Sequence, residues 1–462
     1  MSAGRRLDPS ILREYDIRGI VGKTLSAHDV EAIGRGFGTV VAEAGGASVA
    51  VGYDGRLHSP ELESALVKGL LATGIGVRRV GRGPTPMLYY GAYTLGVDAG
   101  VMVTGSHNPP EYNGLKMVLK GRPFYGADIQ RLGERIAAGR FQSGQAASSD
   151  VAIEATYVNR LLEGHVAGRP MTVAWDPGNG ATGDVIKALT TRLPGRHLLI
   201  NETIDGRFPA HHPDPTVEEN LSQLKAVVEA ERCELGIALD GDSDRIGVID
   251  GRGRVLWGDQ LMMLYARDVL AAVPGATIIA DVKASQVLFD EIARLGGKPL
   301  MWRTGHSVIK AKMAETKAPL AGEMSGHIFF AHRYYGYDDA VYAALRLLEL
   351  IGQGDADLAT LRDSLPSVVN TPELRFACDD SRKLAVIAEV KARLEKMSGV
   401  VVNDIDGVRV TGNGGWWLLR SSNTQPVLVA RAEAVDASAL KLQQAALVEQ
   451  LKLSGIKPPT FD

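Results

Sequence analysis

This sequence predicts an α/β protein: three related mixed-sheet α/β domains and a C-terminal α+β domain, gathered around a central cleft. Three observations carry the prediction. Over the first three quarters of the chain, short apolar runs alternate with helical patterns, as in mixed or parallel sheets covered by helices. One design recurs three times: an apolar strand ending in Asp, a helical pattern, then a second apolar run ending in a polar loop. It begins at Val49-Ala50-Val51-Gly52-Tyr53-Asp54, at Val173-Ala174-Trp175-Asp176 and at Ile278-Ile279-Ala280-Asp281. The end of the chain reads differently, with short strands at Gly407-Val408-Arg409-Val410, Trp416-Trp417-Leu418-Leu419-Arg420 and Val427-Leu428-Val429-Ala430-Arg431 ahead of a helix from about Ala437 to Leu453.

At 462 residues the chain is too long for one ordinary core, and two to four domains are expected. Ser143 to Ser149 is small and polar, like a linker; Gly251-Arg252-Gly253 is a turn; Leu365-Pro366-Ser367 closes a third unit. These breaks predict domains over residues 1–150, 151–253, 254–366 and 367–462. With 45% hydrophobic and 23% charged residues the composition is that of a soluble globular protein. A net charge of −3 gives no reason to expect nucleic acid or a membrane as partner, so any phosphate must be held by local clusters of Arg and Lys. Two cysteines are too few for a disulfide framework, the start of the chain has no apolar signal core, and no run approaches membrane-spanning length; a cytoplasmic location is expected.

In the first unit the second apolar run, Val101-Met102-Val103, leads into Thr104-Gly105-Ser106-His107-Asn108-Pro109-Pro110. Asn-Pro marks a turn and the second proline stiffens it, so Ser106 is aimed and exposed as a covalent nucleophile must be. Alone, the same residues also describe an ordinary surface loop. In the second unit Leu235-Gly236-Ile237-Ala238-Leu239 leads into Asp240-Gly241-Asp242-Ser243-Asp244-Arg245. Carboxylates at alternate positions converge on one hard cation and leave coordination positions open, which suits magnesium. The calcium-loop pattern fails, because Gly251 stands where its last acidic ligand belongs. In the third unit Gly322-Glu323-Met324-Ser325-Gly326-His327 places a carboxylate and a hydroxyl two apart, on the same side of an extended backbone, which suits adjacent sugar hydroxyls as well as it suits a plain turn. In the last unit Arg420-Ser421-Ser422-Asn423-Thr424-Gln425-Pro426 collects a guanidinium, three hydroxyls and side-chain amides, the groups that bind phosphate. Two glycine-bearing stretches carry no nucleotide site: Gly19-Ile20-Val21-Gly22-Lys23-Thr24 has its first glycine two positions too late for a phosphate loop, and Gly34-Arg35-Gly36-Phe37-Gly38 lies in a helical pattern.

Taken in order, these four loops resemble the α-D-phosphohexomutase superfamily over nearly the whole chain, and within it the bacterial phosphomannomutase/phosphoglucomutase group. The resemblance implies that Ser106 carries a phosphoryl group and that Asp240, Asp242 and Asp244 hold magnesium against it. It makes the Glu323 loop the sugar-recognition loop, with Glu323, Ser325 and His327 as contacts; for His327, a place bonded within the core is the competing expectation. The loop of Arg420, Ser422, Asn423 and Thr424 is assigned to the phosphate that is not being transferred. Tyr15-Asp16-Ile17-Arg18-Gly19 is similar to the family's amino-terminal segment, where the arginine reaches the catalytic phosphate. Lys116, Lys283 and His306 match positions lining the cleft, and Arg245 joins the substrate-binding set. Near neutrality His306 is expected to move a proton.

The implied reaction moves phosphate between C1 and C6 of mannose or glucose through a hexose 1,6-bisphosphate. Lys116, Arg18 and His306 share charge stabilisation and proton transfer, and glucose 1,6-bisphosphate acts as activator. Hexose phosphates are the expected partners, for a monomer or weak dimer. A bisphosphate that turns end over end without escaping calls for a closing site, so a hinged last domain is expected. Three rivals remain: a phosphoglucosamine mutase, against which Met324 argues; a metal-dependent phosphatase, which has no use for a remote clamp; and a sugar-phosphate sensor, which leaves Ser106 and the aspartates unexplained.

Overall fold

The computed structural model describes residues 4–422 and 426–461. The first sheet contains β1 (Ile17–Ile20), β2 (Ser48–Tyr53), β3 (Gly76–Arg82), β4 (Ala99–Val103), β5 (Tyr112–Leu119), β6 (Arg122–Pro123) and β7 (Ser148–Asp150). Its order is β1-β5-β4-β2-β3-β7, with β6 beside β5. β2 is parallel to β3 and β4, and β5 returns antiparallel to β4. The stretch read as a linker ends in this sheet, because β7 pairs with the edge strand β3 at Val77↔Ser148.

The second sheet, β12-β11-β10-β8-β9, is built from β8 (Met171–Asp176), β9 (Gly195–Leu199), β10 (Leu235–Leu239), β11 (Ile246–Asp250) and β12 (Val255–Leu256). The third, β14-β13-β15-β16, is built from β13 (Thr277–Asp281), β14 (Lys298–Trp302), β15 (Leu320–Gly322) and β16 (Ile328–Phe330). Both repeat the first pattern. A central strand has parallel neighbours on both sides, and one of them is followed by an antiparallel strand. The recurring Asp thus ends β8 and β13 and directly follows β2. The second apolar run is the parallel neighbour β4, β10 or β15, buried at every position. Such strands read as unbroken apolar runs because helices cover both faces of the sheet. Each is joined to its antiparallel successor by a hairpin, and these three hairpins carry Ser106, Asp240–Arg245 and Glu323–His327.

Residues from all three sheets, among them Met102, Trp175, Ile237 and Ile278, share one continuous hydrophobic core. The fourth sheet has its own. β17 (Val369–Asn370), β18 (Leu374–Ala377), β19 (Val401–Asn403), β20 (Val408–Gly412), β21 (Gly415–Ser421) and β22 (Val427–Ala434) are antiparallel throughout. On β21 the side-chain alternation separates two jobs. Trp417 and Leu419 pack with Val386, Val390 and Leu447 of the helices Asp380–Leu394 and Ala437–Leu453, whereas Trp416 and Leu418 pack on Val282 of the third unit. The helix Asp380–Leu394 and the strands β17 to β19 are additions to the sequence reading of this unit.

Candidate active site

Ser106 sits at the tip of the β4–β5 hairpin in the left-handed region, with φ 49°. For a residue with a Cβ this conformation costs about 1–2 kcal/mol and persists only where the surroundings impose it. Two buried charges impose it. Asp54, directly after β2, accepts from Thr104 Oγ1 at 2.9 Å, Gly105 N at 3.0 Å and Ser59 Oγ at 2.5 Å. Arg56, only 1% exposed, donates to the carbonyls of Ser106 (2.7 Å), Asn108 (2.5 Å), Pro109 (2.5 Å) and Tyr112 (3.1 Å). A guanidinium has donors enough to reach four carbonyls of a tight loop, of which Pro109 O also accepts from Tyr112 N at 3.0 Å.

The β10–β11 hairpin meets this loop face to face. Ser106 Oγ donates to Asp240 Oδ2 at 2.9 Å. Asp240, Asp242 and Asp244 are fully buried, and one oxygen from each lies within 4.8 Å of the others. Lys116, on β5, places its ammonium 2.7 Å from Asp242 Oδ2 and against Asp244. Burial opposes charge on Lys116, but Asp242, Asp244 and Asp240 outweigh it and hold the group protonated. Burial likewise opposes charge on Asp242, where Lys116 and Thr85 win and keep it ionised. Asp240 is the opposite case: burial, then repulsion from Asp244 and Asp242, push it well above the usual carboxylate range. One lysine therefore does not balance three carboxylates. Asp242 Oδ1 and Asp244 Oδ1 are buried without a hydrogen bond, as oxygens awaiting a cation are. The donor set is all oxygen, which fits a hard divalent ion.

The β15–β16 hairpin is a tight turn, not the extended backbone expected from the sequence: Glu323 N donates to His327 O and Gly326 N to Glu323 O. Glu323 and Ser325 consequently do not form an in-line pair. Glu323 is buried and accepts from Gly305 N at 2.7 Å, while Ser325 is half-buried. Both still line the cleft. His327 accepts from Arg245 Nε at 3.0 Å through Nε2 and lies 3.1 Å from Asp338 Oδ2 and 3.5 Å from Asp244 Oδ1 through Nδ1. It is thus tied into the protein on both sides and stacks on His306 at 5.4 Å. The expectation that His306 titrates near neutrality is corrected: burial, with Lys310 adding to it, drops the imidazole well below its ordinary range and leaves it neutral.

These three hairpins and the fourth sheet border one cleft of about 860 Å³. Arg18, Lys116, Arg245, Lys283, Arg420 and Arg431 all face it, together with Tyr15 and Ser422. Arg18 pairs with Asp16 and keeps Nη1 buried without a partner; Tyr15 donates to Thr304 O at 2.6 Å; Lys283 pairs with Glu373 at 3.0 Å; Arg420 pairs with Asp406 at 3.0 Å. Asn423 and Thr424 lie outside the described residues. Every other residue singled out from the sequence faces this cleft or lies in the aspartate cluster beneath it.

Four successive family domains match this chain. Phosphoglucomutase/phosphomannomutase alpha/beta/alpha domain I covers residues 9–143, domain II 155–253, domain III 257–369, and the C-terminal domain 373–450. The chain belongs to the phosphoglucomutase/phosphomannomutase family. A phosphomannomutase/phosphoglucomutase of Pseudomonas aeruginosa is 44% identical over 446 residues, covering 96% of each chain. A phosphoglucomutase of Neisseria gonorrhoeae is 42% identical, covering 93% of this chain and 94% of its own. The crystal structure of a phosphoglucomutase/phosphomannomutase family protein from Burkholderia thailandensis superposes with a TM-score of 0.93 at 43% identity, covering 99% of this chain and 100% of that one.

Several side chains of this family member's cleft escape a reading of the sequence. His107, adjacent to the nucleophile position, lies 3.2 Å from Ser106 Oγ and is driven well below its ordinary pKa by burial and then by Arg245. His212 and Asp214, on a loop of the second unit, also line the cleft, as does Arg431 from β22, which donates to Lys283 O at 2.5 Å. Arg56 and Asp338 never reach the cleft and act through the groups they hold. No periodicity marks any of them, because folding alone brings their partners near: Asp338 meets Lys310 and His327, and Arg56 meets carbonyls of the loop after β4. No helix among the described residues is long and apolar enough to cross a membrane.

Proposed function

We propose that this enzyme interconverts hexose 1-phosphate and hexose 6-phosphate, with mannose and glucose phosphates as substrates, through a phosphoserine at Ser106 and a hexose 1,6-bisphosphate. The observation that carries the reading is the 2.9 Å approach of Ser106 Oγ to Asp240, at the floor of a cleft rimmed with arginine and lysine. The substrate hydroxyl attacks phosphorus in line, the bond from phosphorus to Ser106 Oγ breaks, and its electron pair stays on Oγ. The hydroxyl proton passes to a base at the cleft wall. His306 is neutral and so open to a proton, but burial makes it a weak base; Lys116, held protonated, suits the charge arising on Oγ. The bisphosphate then turns, its other phosphate returns to Ser106, and the isomer leaves.

Asp240, Asp242 and Asp244 would hold a magnesium ion together with an oxygen of the phosphorylated serine. When bound, such an ion withdraws charge from phosphorus. Arg420 and Ser422, with Asn423 and Thr424, clamp the phosphate that is not transferred, while Glu323, Ser325 and His327 meet the sugar. Arg18, Tyr15, Arg245 and Lys283 complete the walls. Most of the rate gain comes from positioning and electrostatics, as phosphoryl transfer requires.

The test is Ser106→Ala, assayed with glucose 1-phosphate and mannose 1-phosphate in the presence of a trace of glucose 1,6-bisphosphate. Isomerisation is lost while sugar-phosphate binding by calorimetry is retained. Near-normal turnover in this variant rules out the phosphoserine route.

A further inference from the structure

A second cavity, of about 840 Å³, lies on the far side of the cleft wall, between the first and third units. The helix His306–Thr316 is the partition. His306 faces the catalytic cleft, and Lys310, one turn on, is buried at the base of the second cavity. Lys317, at the helix's carboxyl end, stands on the cavity rim. The opposite wall is aromatic. Tyr93 is 48% exposed and lies 5.2 Å from Tyr335 and 5.7 Å from Tyr337, whose rings are parallel to each other within 6°. Tyr93 and the half-buried Tyr335 offer ring surface to a flat ligand, and Tyr337 is buried against them.

Charge on the rim is lopsided in availability, though not in number. Its carboxylates are already engaged: Asp98 by the backbone of Ala47 and Ser48, Asp128 by Arg131, Glu315 by Lys312. Among the described residues, the exposed side chains of Arg122 and Lys317 make no hydrogen bond or ion pair, and they come from different units. We propose that this cavity is a second binding site, for a small organic anion carrying a flat aromatic ring, and that its occupancy is felt in the catalytic cleft. The ring stacks on the tyrosine wall and the anion bridges Arg122 and Lys317. The route to the cleft is physical and short. Lys310 Nζ is 2.7 Å from Asp338 Oδ1 and 3.2 Å from Tyr89 Oη, and Asp338 Oδ2 is 3.1 Å from His327 and 3.7 Å from His306. A ligand that pins the first unit to the end of this helix restrains the histidine pair at its beginning.

The probe is 1-anilinonaphthalene-8-sulfonate, an aryl anion, titrated by fluorescence into full-length protein whose catalytic cleft is filled with excess glucose 1,6-bisphosphate. One dye molecule binds saturably. The double charge reversal Arg122→Glu with Lys317→Glu, at two exposed positions, weakens it by about tenfold, the equivalent of two surface charge contacts inverted. ADP displaces the dye and inorganic phosphate at the same concentration does not. In a turnover assay the bound dye shifts kcat or KM of the wild-type protein and leaves the double variant unaffected. Undiminished dye binding by the double variant overturns the site. So does saturable binding that appears only when the bisphosphate is left out, which would place the dye in the catalytic cleft, or displacement by phosphate as effective as that by ADP, which would leave the aromatic wall without a role. Because binding is read with the cleft occupied, its outcome is separate from that of the mutase assignment.

Discussion

Arg56 and Asp338 show how buried charges aim groups that do the chemistry. Arg56 holds four carbonyls of the nucleophile loop and packs over Phe208 of the second unit at 4.9 Å. Arg56→Lys keeps the charge but its donors radiate from one nitrogen and cannot span carbonyls that the two guanidinium nitrogens reach separately, so a carbonyl is left buried and unpaired, at about 1–3 kcal/mol. Urea unfolding is expected to register that loss, and turnover to fall further than stability does; unchanged turnover would show that the left-handed serine needs no clamp. Asp338 is held ionised against the cost of burial by Lys310 and His327. Asp338→Asn removes the charge beside His327, which in turn lies 3.5 Å from Asp244 of the acidic cluster, and kcat is expected to fall about 10–100-fold with KM little altered, the scale of losing an outer partner of a metal site. A parallel rise in KM would instead place Asp338 in substrate binding. In the sequence, Asp338 precedes Asp339, the N-cap of the following helix, which accepts from Tyr342 N at 2.9 Å, and nothing in local pattern separates the two roles.

Among the elements, the hairpins that leave buried strands matter most. β4 and β10 were legible because continuous apolar runs of this length, flanked by polar turns, are what doubly covered strands look like. The hairpin conformations were less so. Spacing alone makes Glu323 and Ser325 extended neighbours, whereas closure between β15 and β16 needs a turn at that point, with Gly326 at φ 87°. The contact between hairpins depends on Gly241, where a Cβ would stand 2.5 Å from the backbone oxygen of Ser106. Neither loop has a flexible side chain there to give way. Gly241→Ala is therefore expected to separate the hydroxyl from the carboxylates and cut turnover by about a hundredfold, the scale of a misplacement near one ångström. Far-UV circular dichroism is expected to stay unchanged. Full activity in that variant would falsify the claim that this spacing sets catalysis.

In the molecule as a whole, three units share a core and the fourth is docked on the third. Trp416 and Leu418 lie on Val282, and Arg409 donates to the carbonyls of Val282 and Ala284 at 2.7 Å. At the cleft edge Lys283 meets Glu373. Burial disfavours charge on Glu373, but Lys283 and Arg375 prevail and lower it to about 2, from an ordinary 4.5. Because the docked form has the depressed value, this contact contributes fully above about pH 4.5 and is lost as pH falls toward 2. Emission from Trp416 should shift to the red across that interval as the fourth unit loosens, and small-angle scattering should report a larger radius. In Glu373→Gln the fourth unit is already less firmly held at neutral pH and this acid step is absent. An identical acid profile in the variant would assign the transition to other carboxylates.

Periodicity and loop chemistry were enough to reveal three repeated α/β units, a distinct last unit, a serine on a stiff turn and an acidic triad, because these depend on neighbours a few residues apart. Folding in three dimensions decided the rest. Which oxygen meets which carboxylate, which histidine stays neutral, and which arginine serves a carbonyl instead of a phosphate all depend on burial and on partners distant in the chain or in another unit. Those are energies of desolvation and close contact, and a linear chain does not display them.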